Sequence, residues 1–110
     1  MMPTHKDLHE FLLTFPNAVL NYPFGEGVAV YKVHDKMFAL VSEQSNPIQL
    51  SLKCDPLLAQ TLREKYETIM PGYHLNKKHW NTVIMSGQLP WTEVQPLIRH
   101  SYDLVAAAAK

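Results

Sequence analysis

The sequence predicts an α+β fold: an antiparallel β-sheet with helices packed on one face, in a two-layer sandwich. Two observations carry this. Helical periodicity opens and closes the chain and appears once between, while short alternating segments cluster after the first helix. The resulting order is helix, a run of strands, helix, one more strand, helix, and grouped strands of this kind form antiparallel sheets. The 110 residues make one domain, 1–110, and at 46% apolar the chain can build a core without disulfides or metals.

The first helix is expected after Thr4, which caps it, with Asp7 completing a box and complementing the helix dipole. Leu8, Phe11, Leu12 and Phe15 fall on one apolar face, and Pro16-Asn17 ends the run. AVLNYPFGEG holds Pro23, Gly25 and Gly27, so any strand in it is short. VAVYKV (28–33) and KMFALV (36–41) read as strands joined by a tight turn at His34-Asp35. IQLSLK (48–53) alternates Ile48, Leu50 and Leu52 with Gln49, Ser51 and Lys53, the pattern of one covered and one wet face.

Asp55-Pro56 opens a second helix, with Asp55 as cap and Pro56 in the first turn, where its missing N–H costs nothing. Leu58, Leu62, Tyr66 and Ile69 are expected as its inner stripe, and Pro71-Gly72 ends the segment. HWNTVIM (79–85) is a further strand, turned by Ser86-Gly87. The last helix is expected from near Thr92, with Gln95 completing a capping box and Val94, Leu97, Ile98, Ser101 and Val105 facing inward. AAAAK at the end reads as a fraying helix terminus.

Ten basic residues balance ten acidic ones, against the basic excess usual in dedicated nucleic-acid binders. A local patch still acts within a Debye length of about 8–10 Å. From residue 53 to 79, five cations (Lys53, Arg63, Lys65, Lys77, Lys78) face three anions (Asp55, Glu64, Glu67), an excess of two. The single Cys54 permits no internal disulfide, the N-terminus lacks the apolar run of a leader, and no stretch reaches the roughly 20 apolar residues of a spanning helix. The expectation is a cytoplasmic protein with no membrane contact.

Enzyme signatures are not evident. His74 and His79 lie five apart with no second pair of ligands, so no metal or cofactor is expected. Cys54 precedes a helix start, which can lower a thiol pKa, but free cysteines are more often buried and inert. The glycines of GEG (25–27) fit no phosphate-loop spacing. The richest stretch is GYHLNKKHWNTV (72–83). Lys77 and Lys78 could each neutralise a phosphate, Asn76 and Asn81 could hydrogen-bond phosphate, sugar or base, and Tyr73 and Trp80 could stack on an exposed base. The competing reading is a core-edge tryptophan beside a solvated lysine loop.

Three stretches, QLSLKCDP (49–56), PGYHLNKKHWNTV (71–83) and HSYDLV (100–105), together with YPFG from residue 22, give the chain a pattern that resembles the MmcQ/YjbR family of small bacterial proteins. The resemblance spans nearly the whole chain. It implies a frataxin/CyaY-like sandwich and DNA binding through a double-wing motif. Carried over, the motif falls on His74, Asn76, Lys77, His79, Trp80 and Asn81, with Lys53 in the preceding strand. A frataxin-like shape also raises iron, but the first helix offers only Asp7 and Glu10, short of the clustered oxygens a hard cation needs.

The expectation is therefore a non-enzymatic DNA-binding protein that contacts phosphate weakly and salt-dependently through the 72–81 loop. Its contact residues are Lys53, Tyr73, His74, Asn76, Lys77, Lys78, His79 and Asn81. The alternative is a protein-interaction or small-ligand module without nucleic-acid activity.

Overall fold

The computed structural model describes residues 2–72 and 75–108. The elements run α1 (His5–Leu13), β1 (Val19–Asn21), β2 (Val28–Val33), β3 (Lys36–Ser42), β4 (Gln49–Lys53), α2 (Pro56–Lys65), β5 (Ile69–Pro71), β6 (Trp80–Ile84) and α3 (Trp91–Ala108). The strands form one antiparallel sheet in the order β1-β2-β3-β4-β6-β5. No helix among the described residues is long and apolar enough to cross a membrane.

Local signals set most boundaries. Thr4 and Asp7 make the reciprocal capping box of α1. Both His34 and Asp35 adopt positive φ (50° and 65°), the primed-turn geometry that matches the twist of paired strands. Asp55 caps α2 by accepting from the backbone of Leu57 and Leu58, with Pro56 as the first helical residue.

The core lies between the sheet and its helices. Leu8 and Leu12 of α1, Phe15 of the turn that follows it, and Val94, Ile98, Tyr102 and Val105 from α3 pack on Tyr31, Phe38, Leu50, Leu52 and Val83. Phe38 is the extra residue of a bulge: Tyr31 pairs with Ala39, but Lys32 pairs with Met37. Buried Ser101 of α3 joins β3 to β4 beside this bulge. Its Oγ donates to the Phe38 carbonyl at 2.6 Å and accepts from the Lys53 N–H at 2.9 Å.

Two expectations need correction. The second helix does not reach Ile69. It ends at Lys65, Tyr66 is extended (φ −125°), and Ile69 opens β5, pairing with Val83. Pro71 closes that strand at the sheet edge, where a missing N–H is tolerated. Ala59 is the buried residue of α2, while Leu58 and Leu62 are half-buried. Nor is Thr92 a cap: α3 already begins at Trp91, and the Pro90 carbonyl accepts from Glu93 and Val94.

Candidate nucleic-acid interface

The loop between β5 and β6 is held by its own sequence. Gly72 is buried, and a Cβ there would stand 2.8 Å from the Trp80 Cβ and 3.2 Å from that of Leu75. Only glycine permits this approach. The Gly72 N–H donates to the Trp80 carbonyl, and the Asn76 carbonyl accepts from both His79 and Trp80. Asn76 Oδ1 accepts from the Lys78 N–H at 2.9 Å, an Asx turn that shapes the loop tip.

Arg63 of α2 grips this loop from the helix side. Its Nη2 donates to the carbonyls of Lys77 and Trp80, and its Nε donates to Asn81 Oδ1 at 2.6 Å. Asn81 Nδ2 in turn donates to the Ala59 carbonyl at 3.3 Å. Asn81 is only 3% exposed, so its expected place on a DNA-contacting edge is corrected. It lies on the helix-covered face, with both ends of its amide engaged. Arg63 likewise turns its guanidinium inward, which removes it from the local basic surface.

The remaining expected contacts divide as follows. Asn76, Lys77 and Lys78 are exposed, while Lys53 and His79 are half-buried. Lys77 Nζ lies 3.5 Å from the Gly72 carbonyl, and the His79 carbonyl accepts from the Cys54 N–H. Tyr73 and His74 lie outside the described residues. Trp80 is buried at 8% exposure but stands apart from the main core, on the opposite side of β6 from Asn81.

The helix-free face of the sheet carries a cleft of about 420 Å³. Its floor is Val28, Leu40, Ser42, Gln49, Ser51 and Thr82, contributed by the four neighbouring strands β2, β3, β4 and β6; Phe24 and Leu75 wall it from two loops. Ser51 and Thr82 share a hydrogen bond of 2.9 Å. None of these eight side chains is charged.

Charge flanks the cleft instead, and unequally. Pleat alternation puts Lys53 on the face of Gln49 and Ser51, and Lys32 on the face of Val28. Cross-strand register sets both lysines toward the sheet end where Trp80 begins β6. The opposite end carries Glu26 and Glu43, which with Tyr22 line a second hollow. Tyr22 donates to Glu43 at 2.9 Å, and this bond, with burial and the carboxylate's charge, raises the phenol pKa. Lys32 was invisible as a site residue in the sequence because only the sheet register sets it beside Lys53.

Burial, reinforced by the charge of Asp55, pushes the Cys54 thiol up to about 11, outweighing Arg63. Helix-start proximity therefore does not activate it. Asp7 is engaged in its capping box, and no cluster of three metal-ligating side chains occurs among the described residues.

The fold and site define a class: a two-layer α+β protein with a neutral cleft on its helix-free sheet face and lysines at one end. The YjbR family model matches residues 13–104, and the chain belongs to that family. It is 35% identical to the protein YjbR of Escherichia coli strain K12 over 100 residues, covering 91% of this chain and 85% of that protein. It is also 35% identical to YbdF of Escherichia coli O157:H7 over 101 residues, covering 92% and 83%. The crystal structure of Deinococcus radiodurans protein DR2400, with domain DUF419, superposes with a TM-score of 0.90 at 39% identity, covering 94% of this chain and 79% of that one. A Pseudomonas syringae crystal structure matches with a TM-score of 0.79 at 27% identity, covering 94% and 99%.

Proposed function

We propose that the chain is a cytoplasmic, non-enzymatic DNA-binding protein that holds the phosphate backbone at the lysine end of its helix-free sheet face. One observation carries the reading: Lys32 on β2 and Lys53 on β4 share that face and that end, next to the loop that bears Lys77 and Lys78. Each lysine offers a mobile point charge, suited to phosphate rather than to base readout. With few contacts and no net charge to steer approach, affinity falls in the non-specific range, on the order of 10⁻⁴–10⁻⁶ M at physiological salt.

The test is fluorescence anisotropy of labelled DNA across a salt series. Binding that weakens linearly in log salt, with a shallower slope for the Lys77→Ala/Lys78→Ala double variant, supports the reading. An unchanged slope removes the loop from the interface. A second reading, a small-ligand or protein-interaction module, draws on the neutral cleft and expects no anisotropy change at any salt.

A further inference from the structure

We propose that the cleft receives an unpaired nucleobase, so that the DNA ligand is single-stranded. This rests on the DNA-binding reading above and deepens it. A base is flat and uncharged, with two apolar faces and a polar rim. The cleft matches that chemistry: Phe24 and Leu40 offer apolar surface, while Gln49, Ser51 and Thr82 offer neutral hydrogen-bonding groups. Ser51 and Thr82 use one O–H in their mutual bond, which leaves the other hydrogen for a ring carbonyl or nitrogen. Its 420 Å³ falls within the range of small-molecule sites.

Charge then decides how the strand lies. Lys53 follows Ser51 by two strand residues, roughly 7 Å at the usual rise, so a phosphate at the lysine can leave its base over the cleft floor. Glu26 and Glu43 at the other end repel phosphate, so the backbone does not cross the face. A duplex must unpair and unstack a base before it can enter a recess, a cost that a single strand avoids. Phe24 is 62% exposed on the loop that carries Gly25 at φ 93°, an aromatic ring held at the cleft mouth without a protein partner for most of its surface.

The experiment titrates the intact protein into three labelled ligands of equal length: a mixed-sequence single strand, a fully abasic single strand, and a duplex. The expected result is binding of the single strand about tenfold tighter than the abasic strand, within the range of one base–aromatic stack. Phe24→Ala should reduce that preference while leaving the salt slope unchanged; Phe24 is exposed, and a thermal melt checks that the variant folds. Equal, salt-dependent binding of all three ligands overturns the base-in-cleft proposal and leaves the phosphate reading standing. A base preference that survives Phe24→Ala and Leu40→Ser overturns the placement in this cleft. Binding of none of the three overturns the DNA-binding reading, and this proposal with it.

Discussion

Arg63 donates from Nε to Asn81 Oδ1 at 2.6 Å, tying the last turn of α2 to the covered side of β6. Through the same guanidinium it also holds the carbonyls of Lys77 and Trp80. Two residues whose types suggest ligand contact thus work as a bracket between helix, strand and loop. Asn81→Ala removes the acceptor for Arg63 and the donor to Ala59. It should cost about 1–3 kcal/mol in urea unfolding, with no change in the salt slope of DNA binding. A changed slope at preserved stability would return Asn81 to the interface.

Gly72→Ala tests the loop's dependence on close approach. The new methyl would meet the Trp80 Cβ at 2.8 Å, an atom close to the backbone that has little freedom to yield. We expect a loss of about 1–3 kcal/mol, as for overpacking in a tight site, read as a lower urea midpoint.

Ser101→Ala should destabilise the sheet where β3 and β4 part at the bulge. The hydroxyl serves the Phe38 carbonyl and the Lys53 N–H, and alanine leaves both without it in a site with no exposure. The expected cost is about 2 kcal/mol. Amide hydrogen exchange should quicken at Lys53 more than at Leu50, and equal exchange at both would contradict the assigned role.

Cys54 sets a pH dependence. Its folded-state pKa is raised to about 11 from 9.0, so the unfolded chain loses this proton first as pH rises. Stability from the buried thiol is present in full below pH 9 and is lost as pH climbs through about 11. Tyr22 and Tyr31, also raised, act in the same direction from above pH 10. Cys54→Ala should flatten the alkaline fall in urea midpoint. At pH 7 the native thiol should alkylate far more slowly with iodoacetamide than in the urea-unfolded chain, and rapid native alkylation would reopen a reactive role.

Lys32→Ala and Lys53→Ala each test the sheet end directly. Each lysine in contact with single-strand phosphate contributes roughly 0.7 to the log–log salt slope. Both variants should therefore reduce the slope, whereas Lys6→Ala on α1 should not.

Much of the fold was legible because its signals are local. Thr4 with Asp7, Asp55 with Pro56, and the His34-Asp35 turn each act over a span of four residues or fewer. β5 was missed because Tyr66 and Ile69 continue the helical spacing of Leu58 and Leu62, and only pairing with Val83 makes Ile69 a strand residue. The candidate site was less legible. Asparagine, arginine and lysine serve equally as ligand contacts and as internal hydrogen-bonding partners, and their type does not say which. The closing motif HSYDLV shows the same ambiguity: His100 accepts from the Asp55 N–H, Ser101 bridges two strands, and Tyr102 donates to the Pro16 carbonyl.

By itself the sequence determined the caps of the first two helices, the alternating strands and the antiparallel class, since backbone geometry and nearest-neighbour side chains specify these over one or two turns of chain. Tertiary structure alone decided that Asn81 is sealed beneath α2, that Lys32 joins Lys53, and that Phe24 and Leu75 wall one cleft. Those residues are brought together by strand register and loop packing across tens of intervening positions, and such pairings leave no periodic trace in the chain between them.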